Sequence, residues 1–526
     1  MSSGHRSGTR DASLTRREML QAVAGAVLVG AGGIALDLPG GAAAIAAAPK
    51  KGGTLRIGAA GGGAKDRIDA HTPVGYPDIA RVFAMFEPLA ARNAAYQVEL
   101  VLAEQISPNP AGDEWTVRLK PGIEFHNGKT VTADDAIFSL QRIIDPKNPK
   151  VGAPGFAEID PNGFKKLDDR TFVIRLKRPF AVFDDQLAQY FNGIVPVDYD
   201  PKNPVGTGPF KFGTFTPGEK STFPAHKNYW KSGQPYVESV VIIDFPDDTA
   251  RVNALLSGQV DAVDNVPLGQ LRLIQGNSAL KPLIAETGGW LPFTMRVDQA
   301  PFDDVRVRQA MRLIANRPQL IEQSLAGQGR VANDLYAPYD PCYAADLPQR
   351  HQDLDQAKSL LKAAGKSDLT VELVTAPVAA GVVEAAQVFA EQAKGAGVTV
   401  NVKKVDSGVF YGDNYLKWTF AQDFWFTRNY LPQVAQGSLP TSAYNETHWG
   451  DPKFISLIDE ARATVDQAKR CAILHDAQKM EYDTGGHIVW GFKNQIDAFS
   501  AKVTGFQPAK TGTPLGNYAF GEVSFA

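Results

Sequence analysis

Eight histidines are scattered through the 526 residues, and none lies three to five positions from another. The local pairing that seats a metal on one turn of helix is therefore missing. No Gly-x-Ser-x-Gly nucleophile elbow and no His-Glu-x-x-His motif occurs. Gly122 to Gly128-Lys129-Thr130 resembles a phosphate loop but holds one residue too many between its glycines, and a helix starts only after Val131. A turn explains that stretch better. The carboxylate pairs Asp134-Asp135 and Asp303-Asp304 stand at predicted helix starts, where the macrodipole and free N–H groups account for acidic residues. These absences weigh against a hydrolase, although a catalytic set drawn from distant positions leaves no local motif.

The elements that must position any site are those of a multi-lobed α/β chain. The length points to two or three lobes. Hydrophobic residues make up 44% and charged residues 21% of the chain, as in soluble globular proteins. With 54 basic against 57 acidic side chains, nothing is left over to neutralise phosphates, so nucleic acid is not an expected partner.

At the N-terminus, Arg16-Arg17 precede a weakly apolar run from Ala22 to about Leu36, followed by small residues through Ala48. This order predicts a secretory leader over 1–48, and the paired arginines suggest the twin-arginine route. Cleavage is expected between Ala44 and Pro49. An N-terminal anchor is the alternative, and the interrupting glycines weigh against it. No cysteine lies near the cleavage region, against a lipid anchor. Cys342 and Cys471 could pair in an oxidising compartment, but their spacing fixes no geometry; two separately buried thiols are the reading favoured here.

Alternating strands are predicted at 115–119 and 172–176. Between them, Thr132 and Asp135 form a capping box for a helix with Ala136, Ile137, Leu140, Ile143 and Ile144 on one face. A strand at 240–243, a helix at about 248–257 stopped by Gly258 and a strand at 260–263 make a βαβ unit with parallel strands. A second α/β lobe follows. Its helices start at Asp303-Asp304, at about Asp355 and at Val382, and its strands lie at 369–373 and 398–402.

Four ordered segments then resemble the peptide/nickel-type extracytoplasmic solute-binding proteins, family 5. They are Trp115–Gly122 with Phe125–Gly128 and Thr132–Asp135, Val205–Phe210 with Asn228-Tyr229-Trp230, Ala254–Asp261, and Pro301–Ala310. Most of these residues read as scaffold: Trp115 and Phe125 as core, Gly206–Pro209 as a tight turn, Asp304 and Arg308 as a helix ion pair. The resemblance implies a two-lobed periplasmic-binding-protein type II-like α/β fold with an additional inserted subdomain. Lobe I comprises 53–86, 192–289 and 498–526, the insertion 87–191, and lobe II 290–497, with hinge crossings near Gly289 and Asp497. It also implies a monomeric, non-enzymatic substrate-binding component of an ABC importer, without a cofactor. That component closes on a small solute or short peptide and hands it to inner-membrane permease subunits. A non-peptide solute such as an opine, a sugar derivative or a metal chelate is the alternative, and an exported hydrolase the remaining rival.

In that family a Trp-containing segment of the second lobe lies along the ligand, and Phe424–Asn429 resembles it. Trp425 offers a flat packing surface, with a core tryptophan as the plain alternative. Many peptide binders carry an Asp three residues after that Trp; here Arg428 stands there, suited to a carboxylate or phosphate rather than an ammonium group. Gln422 replaces an Arg that some peptide binders use for the peptide's carboxylate. Asp264 and Asn265 after the βαβ strand, Trp290 and Phe293 at the hinge, His71 in the loop after the first strand, and Phe492 and Asn494 before the return crossing complete the candidates. Direct metal ligation is not expected, since no histidines cluster.

Overall fold

A computed structural model describes residues 49–526; the leader expected over 1–48 lies outside the described residues. Among the described residues one sheet of eleven strands runs through the molecule. In chain order its strands are β1 (Thr54–Ala60), β2 (Thr214–Thr216), β3 (Lys220–Pro224), β4 (Ser239–Phe245), β5 (Ala262–Val263), β6 (Leu280–Met295), β7 (Gly329–Val331), β8 (Thr370–Thr375), β9 (Thr399–Lys404), β10 (Phe420–Gln422) and β11 (His487–Ser500). The spatial order is β9-β8-β10-β6-β11-β5-β1-β4-β3-β2, with β7 pairing β11 off that path.

The first half builds on β1, which is parallel to both β4 and β5. The βαβ unit is present, with β1 between its two strands. Its helix, Asp248–Leu256, is capped by Asp247, whose carboxylate accepts from the Ala250 N–H at 2.7 Å. Leu55, Ile57, Val240 and Ile242 fill the core beneath helix Tyr76–Met85. The Gly206-Thr207-Gly208-Pro209 stretch lies against that helix's end: a Cβ on Gly206 would meet the Met85 carbonyl oxygen at 2.1 Å. Close approach of two backbones therefore requires glycine there.

The insertion carries a four-stranded antiparallel sheet and helix Ala133–Ile143. Thr132 and Asp135 form the expected capping box, the Thr132 N–H donating to Asp135 at 3.0 Å. Trp115, Val117, Phe172 and Ile174 pack under Ala136, Leu140 and Ile143. The insertion also touches the second half. Ala181 N–H donates to the Arg462 carbonyl at 2.7 Å, and the Arg462 guanidinium pairs with Glu158 at 2.9 Å while lying over Phe180.

In the second half, helices Val305–Ile314 and Val382–Lys394 bury Val307, Ala310, Met311, Ile314 and Phe389 against β6 and β8. Two expectations are corrected here. Asp304 does not pair with Arg308. As the N-cap it accepts from Arg306 N–H at 2.8 Å and binds the Arg306 guanidinium, while Arg308 donates to the Phe302 and Thr484 carbonyls at 2.6 and 2.7 Å. A cap residue has left the helical path, so the i,i+4 geometry does not begin from it. Nor are the cysteines separate thiols. Cys342 and Cys471 form a disulfide, because the loop after Tyr336 lies along helix Gln467–Thr484 and brings their Cα atoms to 4.6 Å.

The halves are joined by β6 and β11, of 16 and 14 residues. They pair antiparallel over Leu280–Glu286 with Ser500–Asn494 and again from Trp290 with Phe492, the register shifting between Glu286 and Trp290. No helix among the described residues is long and apolar enough to cross a membrane.

Candidate solute-binding site

Four of the candidate residues, Trp290, Trp425, Phe492 and Arg428, meet at this joint. Beyond the register shift, Trp290 exchanges two backbone hydrogen bonds with Trp425, N–H to carbonyl at 3.0 and 2.9 Å. This bridge places the two indoles 5.7 Å apart and 8° from parallel. The stack continues through Tyr336, 4.9 Å from Trp290, to Tyr430, 5.3 Å further. Both phenols donate to buried Glu481, at 2.7 and 2.5 Å. Burial pushes that carboxyl up to about 7. Phe492 pairs with Trp290 across the ladder and lies under the Arg330 guanidinium.

The segment after Trp425 carries the free charge. Arg428 has its guanidinium 5.9 Å from the rings of both Trp425 and Phe426, and its one polar contact is a long 3.5 Å approach to Gln433 Oε1. Tyr96 and Tyr190 of the insertion and Tyr444 of the second half are the titratable groups around it. No carboxylate among the described residues lies within ion-pair distance, and burial alone draws its affinity for the proton down. Tyr96 fixes the same segment by donating to the Thr427 carbonyl at 2.9 Å. On the other side of Trp425, its indole N–H donates to Glu446 at 3.2 Å. Burial, and then the neighbouring charge of Asp423, push the Glu446 carboxyl well up, and burial raises Asp423 as well. Tyr411 donates to Asp423 at 2.6 Å.

Three candidates each leave a buried polar atom without a partner among the described residues: Gln422 Nε2, Asn265 Nδ2 and Asn494 Oδ1. Gln422 otherwise accepts from Thr375 at 3.4 Å, and Asn265 accepts from Gln495 at 3.1 Å. Buried polar groups in folded proteins are normally satisfied, so such atoms mark places where a further partner fits.

The remaining candidates are placed elsewhere. Phe293 is fully buried between Phe389 and Phe420, because strand alternation puts it on the opposite sheet face from Trp290. Asp264 is fully buried with both oxygens spent, on Ala60 N–H at 2.7 Å and the Tyr518 hydroxyl at 2.6 Å. His71 is enclosed between the Gly193 carbonyl at 2.7 Å and Arg142 at 2.6 Å, and burial lowers it to about 4, which keeps it neutral at pH 7. Sequence reasoning passed over Lys493, Asp423, Glu446 and Glu481, and placed Asp497 only as a hinge crossing. The available signal was a charged residue inside a mostly buried strand, as Lys493 and Asp497 are in β11.

A two-lobed α/β body joined by paired crossing strands, with an aromatic stack and unspent polar atoms at the joint, defines a solute-binding protein. The model of bacterial extracellular solute-binding proteins, family 5 (middle) matches residues 97–442, and the chain belongs to that family. It is similar to the dipeptide-binding protein of Escherichia coli (strain K12), 27% identical over 80% of this chain and 85% of that one. It is also similar to the glutathione-binding protein GsiB of Pectobacterium atrosepticum, 26% identical over 77% and 82%. Among solved structures, the ABC transporter substrate-binding protein CtaP from Listeria monocytogenes superposes with a TM-score of 0.80 at 20% identity, over 90% of this chain and 100% of that one.

Proposed function

We propose that the protein captures, in the periplasm, a small polar or peptide-like solute that carries an acidic group, and closes on it by bending at the β6–β11 joint. In this reading the chain is a monomer whose leader over 1–48 directs export by the twin-arginine route and is removed. Inner-membrane permease subunits accept the closed form. The moving lobes are 53–86 with 192–289 and 498–526, bearing the 87–191 insertion, against 290–497.

One observation carries the choice of an acidic solute: Arg428, half-buried beside Trp425 and Phe426, has no carboxylate partner among the described residues. A guanidinium partly withdrawn from water with no counter-charge beside it is open to an anion, and its planar fork suits a carboxylate or phosphate. The relatives named for dipeptides and glutathione support a peptide-like scaffold for that group. Trp425, buried against Trp290, backs the site, and Asn265, Gln422 and Asn494 hold unspent donors and acceptors. Calorimetric titration with the solute that co-purifies from the native periplasm, identified by mass spectrometry, tests this. Arg428→Ala is expected to weaken binding by about 2 kcal/mol, in the range of hydrogen bonds to charged groups. Unchanged affinity removes the acidic-solute reading. Product formation from the bound solute favours the exported hydrolase instead.

A further inference from the structure

Fully buried cations among the described residues are accounted for. Arg81 pairs with Asp244 and Asp78, Arg317 with Asp334, Arg462 with Glu158, and Arg312 is ringed by backbone carbonyls. Half-buried Lys493, like half-buried Arg428, is an exception to that pairing. Its ammonium has no hydrogen-bond or ion-pair partner among the described residues, and desolvation is the sole influence on its proton. The nearby carboxylate of Glu286 is engaged by Arg330 at 3.4 Å.

The two exceptions lie on one row. The Lys493 stem passes Gly289, where an added Cβ would stand 3.7 Å from its Cε, and its Nζ lies 5.9 Å from the Phe424 ring. Phe424 meets Phe426 edge-on at 5.3 Å, and the Phe426 ring in turn lies 5.9 Å from the Arg428 guanidinium. Phe426 is 57% exposed, unusual for so large an apolar ring. Cation, ring, ring, cation is the complement of an acid, an apolar spacer and a second acid.

We infer that Lys493 is a second anion anchor, and that the solute is a small dianion whose two acidic groups are separated by an apolar spacer resting on Phe424 and Phe426. This rests on the acidic-solute reading of Arg428 and extends it.

Straight-chain dicarboxylates from succinate to sebacate, glutathione, and monocarboxylates of matched length are titrated against the wild type by thermal shift and calorimetry. The variants Lys493→Met, Lys493→Gln, Lys493→Arg and Arg428→Met are treated alike, with two neutral replacements so that a folding defect in one does not decide the result. At least one diacid is expected to bind the wild type, to lose about thirtyfold in affinity in both neutral Lys493 variants, and to recover in Lys493→Arg. Monoacids should not distinguish wild type from Lys493→Met. No diacid binding, or diacid affinity unchanged by Lys493→Met and Lys493→Gln, overturns the inference. Monoacid binding lost only in Arg428→Met leaves the first anchor standing and removes the second. Binding indifferent to Arg428→Met removes the underlying reading.

Discussion

Glu481 sits at the end of the ring stack with two phenols donating to it, and burial raises it to about 7. Since an ordinary glutamate titrates near 4.3, the folded state keeps this proton longer than the unfolded chain. The stability so gained is complete below about pH 4.5 and is lost as pH rises to about 7, a swing of up to about 3 kcal/mol. Melting curves of wild type and Glu481→Gln are therefore expected to differ in pH dependence: the wild type loses stability relative to the variant between pH 5 and pH 8. Parallel curves would show that the proton is not held. Asp497, also raised to about 7 by burial, acts in the same direction from the joint and remains in both proteins. Single residues are the scale at which the sequence is least legible. Trp425, Trp290 and Phe492 come together at the joint, and Arg428 stands beside Trp425. Phe293 is three positions from Trp290, an odd number that reverses its face in a strand. Asp264 and His71 have the right chemistry, but neighbours distant in sequence consume it, and no local pattern records Tyr518 or Gly193.

At the scale of elements the correspondence is closer, because local rules suffice. Helix Val382–Lys394 occupies the span its apolar periodicity predicts, with Gly395 and Gly397 beyond it, and Thr132 with Asp135 caps the insertion's helix. What escaped was contact between elements. Cys342 and Cys471 are 129 residues apart, and only the packing of the loop along helix Gln467–Thr484 joins them. The cross-link closes a long loop, so replacing both cysteines by serine is expected to cost about 2–4 kcal/mol. Chemical denaturation measures it. A reducing agent should lower the wild-type midpoint to that of the double variant and leave the variant unmoved; insensitivity of the wild type would show that the bond contributes nothing.

At the scale of the molecule, two lobes were legible from the alternation of strands and helices, whereas one sheet continuous through both was not, since its order depends on pairings across hundreds of residues. The insertion's contacts at Arg462 with the second half were likewise beyond local pattern. If the protein works by closure, solution scattering should show the radius of gyration falling as the solute saturates. Solute at 100 times its dissociation constant should add about 2.7 kcal/mol to the unfolding free energy. An unchanged scattering profile with full stabilisation would mean a rigid receptor. The crossing strands restrict how such closure can proceed. Along β6 and β11 the paired backbone resists being pulled apart, for each broken rung exposes a donor and an acceptor together. The ladder shifts register between Leu291 and Pro292 and also, over a gap of three residues, at Thr287–Gly289, next to the residue that anchors the indole pair. Flexure concentrated at that short gap would behave like a scored crease in a sheet of card: it folds along one line, repeatedly, and swings the aromatic wall as a single plate.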